Sequence, residues 1–185
     1  MLFDTHAHLD DRAFDPDREE LLDALPRAGL ALVMNPGCSL TSSLAAAALA
    51  SRRDYLYAAV GSHPDAADEV CAEVLEQYRT LCRDNPKVRA IGEIGLDYHY
   101  EDAPEKDIQK QAFIRQIDLA NELDLPMIIH TRDAMADTID ILTAHPLKNG
   151  VIHCYSGSRE SCKQLIKMGF YIGFTGVITF KNARR

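Results

Sequence analysis

Residues 88–129 read VRAIGEIGLDYHYEDAPEKDIQKQAFIRQIDLANELDLPMII, and this stretch decides the fold class. It begins with an apolar run at 88–91 and ends with a second apolar run at 126–129. The long segment between them, 104–123, has Pro104 at its start and apolar residues at helical spacing. A strand, a helix and another strand in this order predict two parallel strands joined by a crossover helix.

The same alternation continues on both sides of this unit. Further apolar runs, which predict strands, lie at 1–3, 30–34, 55–60, 150–152 and 170–174. Further helical segments lie at 15–28, 39–51, 65–83, 133–144 and 158–168. Unbroken apolar strands that alternate with helices are typical of parallel strands covered on both faces. No GxGxxG or GxxxxGK[ST] phosphate loop follows the first strand, so a TIM-like (β/α) barrel is favoured over an open nucleotide-binding sheet.

The composition is that of one globular domain. The 185 residues are 46% hydrophobic and 26% charged, so we predict a single domain over 1–185. The net charge of −8 argues against binding of a nucleic-acid backbone through an extended basic surface. It does not exclude a phosphate substrate, because bound metal ions can be the largest local charges in a site.

The cysteines and the apolar runs indicate the cellular compartment in which the protein is expected. Five cysteines without a CxxC pair indicate reduced thiols rather than a disulfide framework. The sequence begins without a basic and then apolar leader, and no apolar run approaches the ~20 residues that span a membrane. We therefore expect a cytoplasmic protein with no membrane association.

Histidines collect at the ends of the predicted strands. Five of the seven lie at or near the carboxyl ends of four strands: His6, His8, His63, His130 and His153. In a (β/α) barrel this end carries the active site, which is built from several strand tips.

The first of these strand ends holds a HxH pair. Residues two apart on an extended chain point to the same side, so His6 and His8 can bind one ion. His130 and His153 each follow a β-branched apolar pair and indicate two ligands for a second ion. Glu93, after another strand, either bridges the two ions as a catalytic carboxylate or forms a salt bridge to a neighbouring arginine.

Three more residues near strand ends are candidates for substrate binding. His63 could contact the substrate, act as an acid or hold a neighbouring ligand. Arg132 suits an anionic group but could equally form a structural ion pair, and Asp97 also follows a strand. A ligand set rich in histidine suits Zn or Mn better than Mg, although the sequence leaves all three open.

Five segments at the strand ends form a characteristic set: DTHAHL (4–9), GSHP (61–64), GEIGLDY (92–98), HTR (130–132) and HCYSG (153–157). Taken together, they resemble the TatD family of metal-dependent deoxyribonucleases, which belong to the amidohydrolase-like barrels. The resemblance runs from residue 3 to residue 183 in the family's order. It implies that His6 and His8 hold one ion, that His130 and His153 hold a second ion, and that Glu93 bridges. It also implies that His63 and Arg132 lie near the bound phosphate.

The family's pattern continues to an eighth strand that ends in a Glu-Thr-Asp segment, whose Asp is a metal ligand and proton acceptor. This segment is absent from the sequence. Because a complete barrel usually needs about 250 residues, we expect a C-terminally incomplete barrel with about seven of the eight β/α units. The activity of such a chain by itself is an open question at this point.

The function that the resemblance implies is hydrolysis of DNA phosphodiester bonds, as a 3′ exonuclease, with two metal ions and a metal-activated water. The expected substrate is single-stranded DNA or a DNA end, and the expected state is a monomer without a stable protein partner. Two alternatives remain: a metal-dependent hydrolase of a small-molecule ester, amide or lactone, and an inactive metal-binding fragment.

Overall fold

The computed structural model describes residues 1–145 and 149–183. The strands of these residues are β1 (Leu2–Asp4), β2 (Leu30–Pro36), β3 (Leu56–Val60), β4 (Val88–Asp97), β5 (Met127–Arg132), β6 (Gly150–Ile152) and β7 (Phe170–Ile172). The α helices are α1 (Arg18–Ala24), α2 (Leu40–Ala50), α3 (Ala72–Asp84), α4 (Lys106–Leu123), α5 (Met135–Ala144) and α6 (Arg159–Lys167).

The strands form one parallel sheet in which each strand pairs with the next along the chain, from β1 to β7. A helix returns the chain after each of the first six strands, as in the predicted β/α rhythm. The sheet curls into a half-barrel, which confirms a TIM-like α/β architecture with seven strands. In the described part of the chain, β1 and β7 each pair on one side only.

Two apolar layers cover the two faces of the sheet. The larger layer packs the sheet against the helices, with side chains such as Leu22, Tyr78 and Phe113 fully buried. The smaller layer lines the concave face with one residue from each of the five middle strands: Met34, Ala59, Ala90, Ile128 and Val151. These two layers explain why the strands are apolar without a break.

The predicted helix at 65–83 is wrong as a single element. The structure has a 3-10 helix at Pro64–Glu69 and then α3, with an extended Val70 (φ −71°, ψ 92°) between them. Ala67 and Val70 pack against Ala112 of α4 in a small buried cluster. This contact keeps Val70 out of a continuous helix, because tertiary packing overrides local helix preference.

Several strands also differ in length from the predictions. The second strand runs two residues further, to Pro36. The fourth and fifth strands run on to Asp97 and Arg132, so that Glu93 and His130 are strand residues. The seventh strand ends at Ile172, two residues earlier than predicted. None of the α helices within the described ranges is both long and apolar enough to cross a membrane.

Gly95 of β4 pairs directly with His130 of β5. Its φ is +146°, and a Cβ atom placed on it would lie 1.9 Å from the carbonyl oxygen of His130. Gly95→Ala should therefore lower the free energy of unfolding by about 3–5 kcal/mol, from backbone strain and steric overlap together. Urea unfolding of the metal-free protein measures this loss.

Gly176→Ala is the matched control, because a Cβ atom there meets no atom within 4 Å. We expect this variant to stay within about 0.5 kcal/mol of the unsubstituted protein. If the Gly95→Ala protein is as stable as the control, the expected overlap between residue 95 and the carbonyl oxygen of His130 does not exist.

Candidate metal centre

The carboxyl ends of the strands deliver their polar side chains to one cavity of about 480 Å³. The histidines and the carboxylate predicted as metal ligands all line it: His6, His8, Glu93, His130 and His153. His63, predicted as a substrate residue, lines the same cavity. The side chains of His130 and Arg132 share the concave face with Ile128, because alternate residues of a strand point the same way.

Glu93 stands at the centre of the cluster, and only 3% of the residue is exposed. Its Oε2 lies 3.2 Å from Nε2 of His6 and 3.4 Å from Nε2 of His8. Its Oε1 lies 3.2 Å from Nδ1 of His130. Burial by itself raises the pKa of Glu93, but the hydrogen bonds from these three imidazoles hold that pKa well below its usual range. Oε2 of the carboxylate therefore faces His6 and His8, while Oε1 faces His130.

His6 and His8 point their Nε2 atoms at each other and at Glu93. The two Nε2 atoms are 2.9 Å apart. Nδ1 of His8 lies 3.2 Å from the carbonyl oxygen of Pro36, which can only accept a hydrogen bond. Nδ1 of neutral His8 therefore carries the proton, and its Nε2 presents a lone pair to the cavity.

These donor atoms fit a divalent metal ion. Nitrogen ligands at the usual Zn–N distance of about 2.0–2.1 Å lie roughly 3.3 Å apart around a tetrahedral ion. The separations among Nε2 of His6, Nε2 of His8 and Oε2 of Glu93 are 2.9, 3.2 and 3.4 Å. Two imidazoles and a carboxylate are ligands that zinc and manganese accept. Burial lowers the pKa of His8, but hydrogen bonds with Cys38 and Glu93 outweigh it and raise that pKa to about 10, so the ion would have to displace a proton.

His130 lies between two carboxylates. Its Nδ1 faces Glu93, and its Nε2 lies 2.9 Å from Oδ2 of Asp97. The ring of His63 packs edge-on against the ring of His130, with centroids 4.4 Å apart. His63, Asp97 and His130 each place one potential ligand atom within 4.8 Å of the other two. Burial and the neighbouring His130 both lower the pKa of His63.

His153 takes a different position from its predicted partner His130. Its ring stacks on the ring of His6, with centroids 3.3 Å apart and planes 17° apart. Burial, followed by the charge of His6, lowers the pKa of His153 to about 3, so its ring is neutral near pH 7. A neutral imidazole at the wall of the cavity is in the form that can bind a metal ion.

Arg132, predicted as a substrate residue, lies at the end of β5 and is not among the residues that line the cavity. Its Nη1 donates a hydrogen bond of 2.9 Å to the hydroxyl of Tyr100, and its guanidinium lies 5.0 Å from the centre of that ring. His99, two residues after Asp97, pairs with Asp133 instead of lining the cavity.

Two residues of the cavity were not predicted from the sequence. Cys38, just after β2, places its Sγ 3.8 Å from Nδ1 of His8 and 3.9 Å from Oε2 of Glu93. Burial raises the pKa of the Cys38 thiol. Asp65 donates its backbone N–H to Nδ1 of His63 over 3.3 Å. Cys38 could have been found from its position, because it follows a predicted strand as the histidines do.

Comparison with known proteins identifies the family. The model of the family "TatD related DNase" matches residues 3–185. "Uncharacterized metal-dependent hydrolase YabD" of Bacillus subtilis is 41% identical over 187 aligned residues, which cover all of this chain and 72% of that protein. "3'-5' ssDNA/RNA exonuclease TatD" of Erwinia billingiae is 34% identical, over 95% of this chain and 67% of that protein.

A solved structure shares the fold. The crystal structure of the TatD homologue YjjV from Escherichia coli superimposes with a TM-score of 0.89 at 34% identity, over 97% of this chain and 70% of that chain. The family and the class of metal-dependent hydrolase, both predicted from the sequence, are thus confirmed. The chain belongs to the family of TatD related DNases.

Proposed function

We propose that this protein is a divalent-metal-dependent phosphodiesterase that removes nucleotides from the 3′ end of single-stranded DNA. The observation that carries the proposal is the position of Glu93, whose two carboxylate oxygens face two different sets of imidazole nitrogens. Such a carboxylate is suited to bridge two ions, and paired ions suit displacement at phosphorus. The name of the Erwinia billingiae relative, an exonuclease for single-stranded DNA and RNA, supports the choice of substrate.

The proposed ligands divide between the two oxygens of Glu93. His6 and His8 would hold the first ion through Nε2, together with Oε2 of Glu93. His130 would hold the second ion through Nδ1, together with Oε1 of Glu93. His153, whose ring stacks on that of His6 at the wall of the cavity, would complete the ligands of the second ion. Zinc and manganese suit this set better than magnesium.

When bound, the two ions would supply Lewis acidity toward a water molecule and the phosphate group. The residues of the chain would position the reactants around them. Glu93 would fix the spacing of the ligands, because its pKa lies well below its usual range and it stays ionised. Arg132, two residues after His130 on β5, would bind a phosphate oxygen and neutralise the charge that builds there. His63 lines the cavity beside His130 and would contact the same phosphate.

This function is tested with a 5′-labelled single-stranded oligonucleotide, incubated with the protein and Mn²⁺, Zn²⁺ or Mg²⁺ in turn. We expect a ladder of products that shortens from the 3′ end and disappears when a chelator is added. Intact oligonucleotide with all three ions, together with turnover of a small ester, amide or lactone, would contradict the proposal. It would favour the small-molecule hydrolase instead.

Arg132 provides a separate prediction about substrate binding. Arg132→Ala should raise KM for the oligonucleotide about 10-fold or more, because a hydrogen bond to a charged group contributes about 1.5–3 kcal/mol. The metal affinity should not change, since Arg132 contacts Tyr100 rather than the proposed ligands. Steady-state kinetics and a metal titration on the same samples measure both. Arg132→Lys should raise KM less than Arg132→Ala does, because lysine keeps the positive charge but cannot make the bidentate contact of a guanidinium with phosphate. An unchanged KM would remove Arg132 from the substrate site.

A further inference from the structure

Asp97 is held in place from several directions at the end of β4. Only 1% of the residue is exposed. Its backbone N–H donates to Oε1 of Gln109 over 2.9 Å, and its carbonyl oxygen accepts from Nε2 of Gln109 over 2.8 Å. Its Oδ1 accepts the backbone N–H of His99 over 2.8 Å. The remaining oxygen, Oδ2, is therefore directed at His130 without freedom to turn away.

The contact between Asp97 and His130 determines which nitrogen of the imidazole is available. Oδ2 lies 2.9 Å from Nε2 of His130, and an ionised carboxylate can only accept a hydrogen bond. Nδ1 lies 3.2 Å from Oε1 of Glu93, a second acceptor, so in the metal-free protein both ring nitrogens can donate. An ion that binds Nδ1 replaces the proton there, and the proton that remains sits on Nε2, where Asp97 accepts it. A histidine that binds metal commonly donates its other N–H to a carboxylate in this way.

We propose that Asp97 is a positioning residue of the metal centre, which orients His130 so that Nδ1 points at the second ion. This inference rests on the proposed function, and it assigns Asp97 a role through His130 rather than the contact with substrate that the sequence suggested. The burial of Asp97 favours this role, because both of its oxygens already have partners inside the protein.

The proposal makes an unusual prediction for Asp97→Asn. The N–H of His99 needs an acceptor, so the amide oxygen of the new side chain should take the place of Oδ1. Its NH₂ group then faces Nε2 of His130 as a donor, and the ring proton must move to Nδ1. A protonated Nδ1 cannot bind a metal ion. The variant with the same shape should therefore be at least as damaging as Asp97→Ala.

Metal titration by calorimetry with Zn²⁺ is the first test. We expect Asp97→Asn to lower the affinity for the second ion by about 10–100-fold and to leave the first ion unchanged, since loss of an outer partner typically costs this much. Asp133→Asn is the matched control, because Asp133 pairs with His99 in an exposed position and contacts none of the proposed ligands. Unchanged binding of both ions to Asp97→Asn would overturn the proposal.

The position of the ring proton is a second readout, which needs neither metal nor turnover. In ¹⁵N NMR spectra of the metal-free Glu93→Ala protein in alkaline buffer, where Asp97 is the carboxylate still in contact with His130, the ring should carry its proton on Nε2. In the double variant Glu93→Ala/Asp97→Asn the proton should lie on Nδ1. A His130→Gln sample assigns the signals. If the proton stays on Nε2 in the double variant, the positioning role is wrong. If wild-type protein binds no zinc, the proposed function fails, and the proton position still decides whether Asp97 orients His130.

Discussion

Glu93→Gln should lower the affinity for divalent metal by more than about 100-fold and reduce hydrolysis to background. The reason is that Glu93 contacts both proposed ligand sets, through Oε2 to His6 and His8 and through Oε1 to His130. Loss of an outer partner of a ligand already costs about 10–100-fold in metal affinity, so loss of a shared direct ligand should cost more. Glutamine keeps the shape and removes the charge, which separates ligation from packing. Metal analysis after dialysis and the oligonucleotide assay measure the two effects.

The control for this variant is a carboxylate of the same type far from the cavity. Glu122, near the end of α4, pairs with Arg79 at the surface, so Glu122→Gln should keep both metal and activity. Urea unfolding in the presence of a chelator shows whether Glu93→Gln is still folded. A folded Glu93→Gln protein that binds metal and cleaves the oligonucleotide like the control would refute the assignment of Glu93.

Metal loading should raise the melting temperature by roughly 5–10 °C. A ligand at 100 times its Kd adds about 2.7 kcal/mol to the stability of the folded state, and each kcal/mol corresponds to about 2–4 °C for a domain of this size. The ions bind the folded protein preferentially, because only the fold brings His6, Glu93 and His130 together from three different strands or strand ends. Differential scanning calorimetry with Zn²⁺ or Mn²⁺, against the same sample with chelator, measures the shift.

The same shift separates binding in the cavity from binding elsewhere. It should vanish in Glu93→Gln and persist in Glu122→Gln. Equal stabilisation of both variants would mean that the ions bind outside the cavity, for example at surface carboxylates.

Much of the fold could be predicted from the sequence, because each strand is a short apolar run and each return segment has helical spacing. The ligand cluster could be predicted for a related reason. The carboxyl ends of parallel strands meet at one edge of the sheet, so histidines that follow different strands become neighbours. His6, His63, His130 and His153 all line the same cavity although 147 positions separate the first from the last.

The parts that could not be predicted depend on contacts between distant elements. No Gly or Pro in the sequence marks the break in the helix at Val70. The break arises from packing against Ala112 of α4. The pairing of His130 with Asp97 joins residues from two strands, and its geometry depends on the register of β4 against β5. Periodicity identifies strands, but it does not tell which nitrogen of an imidazole faces which carboxylate.

Anomalous diffraction from crystals soaked with Zn²⁺, recorded at the zinc edge, tests the central claim most directly. We predict two peaks in the cavity, one between His6, His8 and Oε2 of Glu93, and one beside Nδ1 of His130 and Oε1 of Glu93. Zinc bound only outside this cavity, or a cavity that stays empty at saturating zinc, would contradict the assignment of this cluster as the metal centre.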